Sequence, residues 1–168
     1  MKRIARFEKV SKEQFLADWL DTFGADGSAV YDTINMPRRA TAGSAGYDIC
    51  TPVAITLAPG ETAKIPTGIR VFMEDGWVFK IYPRSGLGFK YRLQLNNTVG
   101  IIDSDYYNAK NEGHIFVKIT NDSNEGKTVS LSAGDGFAQG IFVEYGITFD
   151  DDADGVREGG FGSTSKKE

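Results

Sequence analysis

Cysteine is almost missing from this chain. Cys50 stands alone, which excludes an intrachain disulfide. Histidine is equally scarce, with only His114, so no Cys/His set has the spacing of a zinc site. No run of about 18 apolar residues occurs, and Met1–Glu8 lacks the apolar stretch of a signal peptide. These absences predict a soluble, cytoplasmic protein with no membrane partner. Positive charge is not in surplus either: 19 Lys and Arg face 23 Asp and Glu, a net charge of −4. That excludes a protein that coats a nucleic acid polymer, which needs a basic surface to displace counterions from phosphates. A small anionic ligand stays open, provided arginines and backbone N–H groups gather locally.

What is present fits one domain. The 168 residues are 40% hydrophobic, enough for a packed interior, and 20 glycines suit short strands joined by tight turns. Ser11 to Leu20 reads as a short amphipathic helix: Ser11 and Gln14 fit a capping box, and Phe15, Leu16, Trp19 and Leu20 recur at helical spacing. Residues 1–30 therefore read as an accessory segment docked on the domain, with a partner-binding helix as the alternative. From Tyr31 onward the signal is strand. Pro52–Leu57, Thr62–Ile65, Ile69–Met73, Trp77–Tyr82, His114–Thr120, Thr128–Leu131 and Phe137–Tyr145 are β-branched or aromatic runs parted by turn signals. Strands this close, without helices between them, imply an all-β sandwich or barrel over 31–149. Residues 150–168 change character, with acidic Asp150, Asp151, Asp152 and Asp154 leading into a Gly-rich arm expected to be flexible.

Several runs carry possible chemistry. Pro83–Gly88 ends a strand with Arg84, Ser85 and Gly86: a planar guanidinium, a hydroxyl donor and backbone open to close approach, as phosphate binding needs. The arm repeats that chemistry with Arg157, Gly162, Ser163 and Thr164 around Phe161. Between them, Asn97–Tyr106 sets Asp103 and Asp105 directly after an apolar run. The two carboxylates share a face if the strand continues and diverge if it kinks.

Taken in order, Ala45–Asp48, Pro83–Gly86, Gly100–Tyr106, Ala138–Gln139 and Gly159–Thr164 resemble the five motifs of the homotrimeric dUTPase family. The resemblance spans roughly residues 34–164. It implies a jelly-roll β-barrel or sandwich, a homotrimer with shared sites, and Mg²⁺ held mainly by the triphosphate. The implied reaction is hydrolysis of dUTP to dUMP and pyrophosphate. By resemblance, Asp103 is the general base for the water that attacks the α-phosphorus. Asn97 and the backbone of Gly100, Ile101 and Ile102 lie on a hairpin that receives uracil, with Phe116 nearby. Tyr106 packs on the deoxyribose and excludes a 2′-OH. Arg84, Ser85 and Gly86 hold the α- and β-phosphates, and Gln139 approaches the phosphates or the water. Asp48 stands near Mg²⁺ through water or serves as a brace. In the arm, Phe161 stacks on uracil while Arg157, Gly162, Ser163 and Thr164 bind the γ-phosphate, closing the site as a lid.

The chain departs from the family pattern in three places. Gly136 stands where the family often has arginine, Arg157 lies one residue nearer Phe161 than expected, and Tyr107–Glu112 reads as an insertion lengthening the uracil hairpin. Cys50 reads as a small core residue, His114 as structural, and Trp77 and Phe79 as core or subunit contacts. The competing functions are a dCTP deaminase, alone or in bifunctional form, and a regulatory module that has kept a nucleotide pocket.

Overall fold

A computed structural model describes residues 1–157 and 159. The chain opens with β1 (Ala5–Lys9), α1 (Lys12–Phe23) and α2 (Ser28–Asp32). There follow β2 (Tyr47–Cys50), β3 (Ile55–Leu57), β4 (Thr62–Pro66), β5 (Ile69–Met73) and β6 (Trp77–Pro83). Next come α3 (Ser85–Tyr91), β7 (Leu93–Leu95), β8 (Gly100–Ile102) and a 3₁₀ helix (Ser104–Asn108). The last strands are β9 (Phe116–Asn121), β10 (Val129–Leu131) and β11 (Gly136–Glu144). The fold is mostly β, a jelly roll whose pairings are antiparallel throughout the described residues. One sheet runs β2-β11-β6-β8, a second runs β4-β9-β7, and β10 pairs β3.

Alternation along these strands builds the core. In β9, Val117, Ile119 and Asn121 point inward while Lys118 faces out, the period-two pattern of a half-buried strand. Phe79, Ile81, Leu93, Leu95, Ile119, Val129 and Phe137 meet in the main cluster. Phe79 is buried as expected and Trp77 is only partly so. Cys50 corrects the sequence reading: it is half-buried, at the outer end of β2, rather than a core residue.

The N-terminal segment docks. Its alternation of Ala5, Phe7 and Lys9 against Arg6 and Glu8 forms β1, which pairs with β5 in register Phe7↔Val71; the sequence reading had no strand here. In α1, Phe15 and Trp19 bury against Val10, Ile34 and Ile69, a second cluster beside the main one. Leu20, counted on the inner face, is 59% exposed. Ser11 caps the helix by accepting from Gln14 N–H at 3.1 Å. The Gln14 side chain turns instead to Asp18 (2.9 Å), and the Ser11 N–H and hydroxyl are both taken by Glu112 at 2.7 and 2.6 Å. Gly24, in the left-handed region at φ 65°, ends the helix with a bond to the Leu20 carbonyl.

Candidate active site

Strand β6 organises the site. It pairs β8 in register Phe79↔Ile102 and Ile81↔Gly100, so Asp103 comes abreast of Val78 while Arg84 follows the far end at Pro83. Six residues of strand separate those levels, about 20 Å at the usual rise per residue. Within one chain, the expected base and the expected phosphate arginine therefore lie at opposite ends of the same strand.

The Asp103 end is a cavity of about 710 Å³. Asn97, Gly100, Ile101, Ile102, Asp103, Tyr106, Phe116 and Arg157 all line it, as do Lys64 and Lys118, which face each other across β4 and β9. The Lys64 ammonium stands 4.5 Å from the centre of the Phe116 ring. The expected uracil hairpin takes a different form. β7 belongs with β9 and β8 with β6, so Asn96–Val99 crosses between sheets instead of turning a two-stranded ladder. The turn is held by Thr98 N–H on the Leu95 carbonyl (2.9 Å) and Val99 N–H on that of Asn97 (2.7 Å), with Thr98 at φ 67°.

After Ile102 the strand kinks into the 3₁₀ helix, so Asp103 and Asp105 leave the alternating pattern. Both carboxylates nevertheless meet one guanidinium: Arg157 Nη2 is 2.5 Å from Asp103 Oδ2, and Nε is 2.7 Å from Asp105 Oδ1. Tyr106 is 6% exposed. Its hydroxyl donates to the His114 carbonyl and accepts from Asn111 Nδ2, each at 2.8 Å. Burial pushes that hydroxyl above its ordinary pKa, against the lowering effect of Asn111.

Tyr107–Glu112 does not lengthen a hairpin. It folds back on the N-terminal segment, where Tyr107 donates to Glu8 at 2.6 Å and Glu112 caps Ser11. Gly113 closes this turn at φ 71°, its Cα so near the Tyr106 backbone that a Cβ would stand 2.6 Å from the carbonyl oxygen. His114, read as structural, is fully buried. Its partner Asp18 was not anticipated.

At the other end of β6, Arg84 reaches Asp48 (Nε to Oδ1, 3.3 Å) and the Gly136 carbonyl (3.3 Å). A Cβ at Gly136 would stand 2.7 Å from Arg84 Nη1, so the glycine leaves the space that this guanidinium fills. Ser85 and Gly86 open α3, a helix that the sequence reading did not include. Gln139 sits alongside on β11, bonded to the Pro83 carbonyl at 3.2 Å. Among the described residues no group of three acidic, His or Cys side chains could hold a metal ion, and Asp48 already faces Arg84. The side chains of the described residues do not make a protein-held Mg²⁺ site. Phe161, Gly162, Ser163 and Thr164 lie outside the described residues.

No helix among the described residues is long and apolar enough to cross a membrane. The dUTPase family model matches residues 32–165. A relative named deoxyuridine 5′-triphosphate nucleotidohydrolase, from Lactococcus lactis subsp. lactis, is 42% identical over 134 residues, 78% of this chain and 88% of its own. Among solved structures, the dUTPase of Streptococcus mutans is 34% identical, with a TM-score of 0.63 over 84% of this chain and 97% of that one. The dUTPase of phage phi11 of S. aureus, described as coordinating a structural Mg(II) ion, shares the fold at 21% identity. Its TM-score is 0.63 over 91% of this chain and 98% of that one.

Proposed function

This chain belongs to the dUTPase family, and on that premise we propose how its residues carry out the family's reaction. It hydrolyses dUTP to dUMP and pyrophosphate. Water adds to the α-phosphorus, the bond from that phosphorus to the bridging oxygen breaks, and pyrophosphate leaves. Asp103 orients the water and takes its proton; the carrying observation is its place on the lining of the 710 Å³ cavity, which it shares with buried Tyr106. Positioning and charge stabilisation supply most of the rate in such a transfer. The backbone of Gly100–Ile102 reads the edge of uracil, and Tyr106 packs on the sugar, leaving no space for a 2′-OH. Phe116 closes the opposite wall.

Arg84, Ser85, Gly86 and Gln139 bind phosphate, and their distance from Asp103 supports a site shared between copies. One copy brings the cavity end of β6 and another the Arg84 end, as in a homotrimer closed by rotation. Mg²⁺ enters as part of the substrate, bound by the triphosphate; Asp48 braces Arg84 and at most meets the ion through water. When the triphosphate enters, Arg157 exchanges Asp103 and Asp105 for the γ-phosphate, freeing the base. Phe161 and Gly162–Thr164 complete that closure. The reaction takes place in the cytoplasm.

The test is pyrophosphate release from dUTP with Mg²⁺, run beside dCTP. Asp103→Asn keeps the shape of the side chain and removes the base, so it retains dUTP binding and loses about a thousandfold in turnover. Near-normal turnover in that variant overturns the assignment. Uracil products from dCTP identify a deaminase, and background release from both nucleotides identifies a binding module.

A further inference from the structure

The N-terminal helix reaches the cavity through a pair made by part-exposed Asp18 and fully buried His114. Asp18 on α1 places Oδ2 2.5 Å from His114 Nδ1, and Gln14 holds the same oxygen at 2.9 Å. On the other side of the ring, the Gly68 N–H donates to Nε2 at 2.8 Å. That bond occupies the Nε2 lone pair, so Nδ1 carries the hydrogen and donates it to Asp18. The imidazole is thereby pinned at both nitrogens. Its residue in turn supports two cavity walls: the His114 carbonyl accepts the Tyr106 hydroxyl, and the His114 ring packs 4.6 Å from the Phe116 ring.

Filling the space beside Phe15 and Phe116 does not by itself require this chemistry, but an apolar residue at 114 would leave the buried Gly68 N–H without an acceptor. An imidazole does what an apolar side chain cannot: it accepts from the Gly68 backbone while donating to a carboxylate. Both contacts converge on the backbone that anchors the Tyr106 hydroxyl. Burial pushes the Asp18 carboxyl up, but bonds from His114 and Gln14 outweigh it and leave the group below its ordinary pKa.

The geometry points to Asp18 and His114 as positioning residues for the nucleoside pocket, holding Tyr106 and Phe116 at the spacing that admits a deoxyribose and refuses a ribose. This rests on the dUTPase reading above, and it gives α1, which lies before the matched region 32–165, a part in substrate selection.

The experiment compares kcat and KM for dUTP and UTP in wild type, Asp18→Ala, Asp18→Asn, Tyr106→Phe and the double variant Asp18→Ala with Tyr106→Phe. Alanine is the better helix former, so a loss at Asp18→Ala is not a weakened helix. It is expected to raise KM for dUTP more than it lowers kcat, and to cut discrimination against UTP about tenfold. Asp18→Asn keeps an acceptor for Nδ1–H and recovers most of that loss. The double variant falls short of the sum of the two single losses, because the hydroxyl anchor is already gone and only the Phe116 contact remains. A folded Asp18→Ala with unchanged discrimination, or a loss that adds in full to that of Tyr106→Phe, overturns the proposal.

Should Asp18→Ala not fold, the ¹⁵N shifts of the His114 imidazole decide instead. A wild-type Nδ1–H signal that moves on adding dUMP supports coupling to the pocket, and one that stays still while dUMP binds overturns it. Failure of the dUTPase reading shows separately, as wild-type protein that releases no pyrophosphate from dUTP.

Discussion

The two ends of β6 are built on different principles. At the Asp103 end, the chain supplies a walled cavity, and Tyr106, Asn111, His114 and Asp18 hold one another through buried and half-buried hydrogen bonds. At the Arg84 end, the guanidinium is 45% exposed and touches Asp48 and a carbonyl at 3.3 Å each. A pocket that selects a nucleoside by shape has to be rigid before the ligand arrives, because misfit by a fraction of an ångström decides selectivity. A phosphate contact tolerates looser placement, since charge attraction acts over distance and the arginine settles on the ligand. The chain spends its N-terminal segment on the first end and leaves the second open.

The strongest way to break that comparison is to divide the ends between molecules. Asp103→Asn and Arg84→Ala are each expected to be nearly inactive alone. Refolded together in equal amounts, they regain about a quarter of wild-type turnover if each site takes one end from each of two neighbouring copies. Turnover that remains at the level of the separate variants rules out the shared site. A smaller effect tests the rigidity of the cavity end. Phe15 is fully buried under α1, and Phe15→Ala is expected to cost about 3 kcal/mol of stability. Hydrogen exchange should then quicken over 106–116 and stay as before over 84–88; equal quickening at both ends would erase the contrast.

The smallest effect concerns Glu8. The Tyr107 hydroxyl first, then Arg6, outweigh burial and with Arg70 hold its carboxyl at about 2, below the ordinary 4.5. A carboxyl lowered by folding stabilises the fold above its unfolded pKa, and that contribution is lost as pH falls toward about 2. With a side chain 29% exposed, the pair group is worth about 1 kcal/mol after solvent screening. Wild type should exceed Glu8→Gln in denaturant midpoint at neutral pH, with the gap closing on acidification. A gap that persists in acid would mean that Glu8 acts through packing.

Most strands were legible because β-branched and aromatic runs ended in turns such as Ala58–Gly60 and Glu74–Gly76. The family was legible from the order of the five motifs, and the dUTPase family model matches residues 32–165. What escaped depends on contacts remote in sequence. β1 alternates Ala5, Phe7 and Lys9 with charges, a weak period-two signal that the pairing to β5 completes. The helix at Ser85–Tyr91 holds two glycines that local propensity counts against. Asp18 did leave a trace, as a carboxylate on the face of α1 shared by Phe15 and Trp19, where a charge needs a partner. No local pattern could place the Tyr107–Glu112 segment against Ser11, because that bond is made across the whole domain.

That last contact also sets a chronology. Glu112 caps a helix whose first residues precede it by 101 positions. A ribosome adding residues in order releases Lys12–Phe23 long before the residue that satisfies Ser11 exists. The helix is too short to stand well alone in water; its apolar partners Ile34 and Ile69 are made earlier, but the caps and pairing from Glu112 and His114 come only later. The part synthesised first is thus among the last to be locked. A chain halted before Glu112 would carry an unsecured α1, a form that chaperones and proteases can distinguish from the finished enzyme.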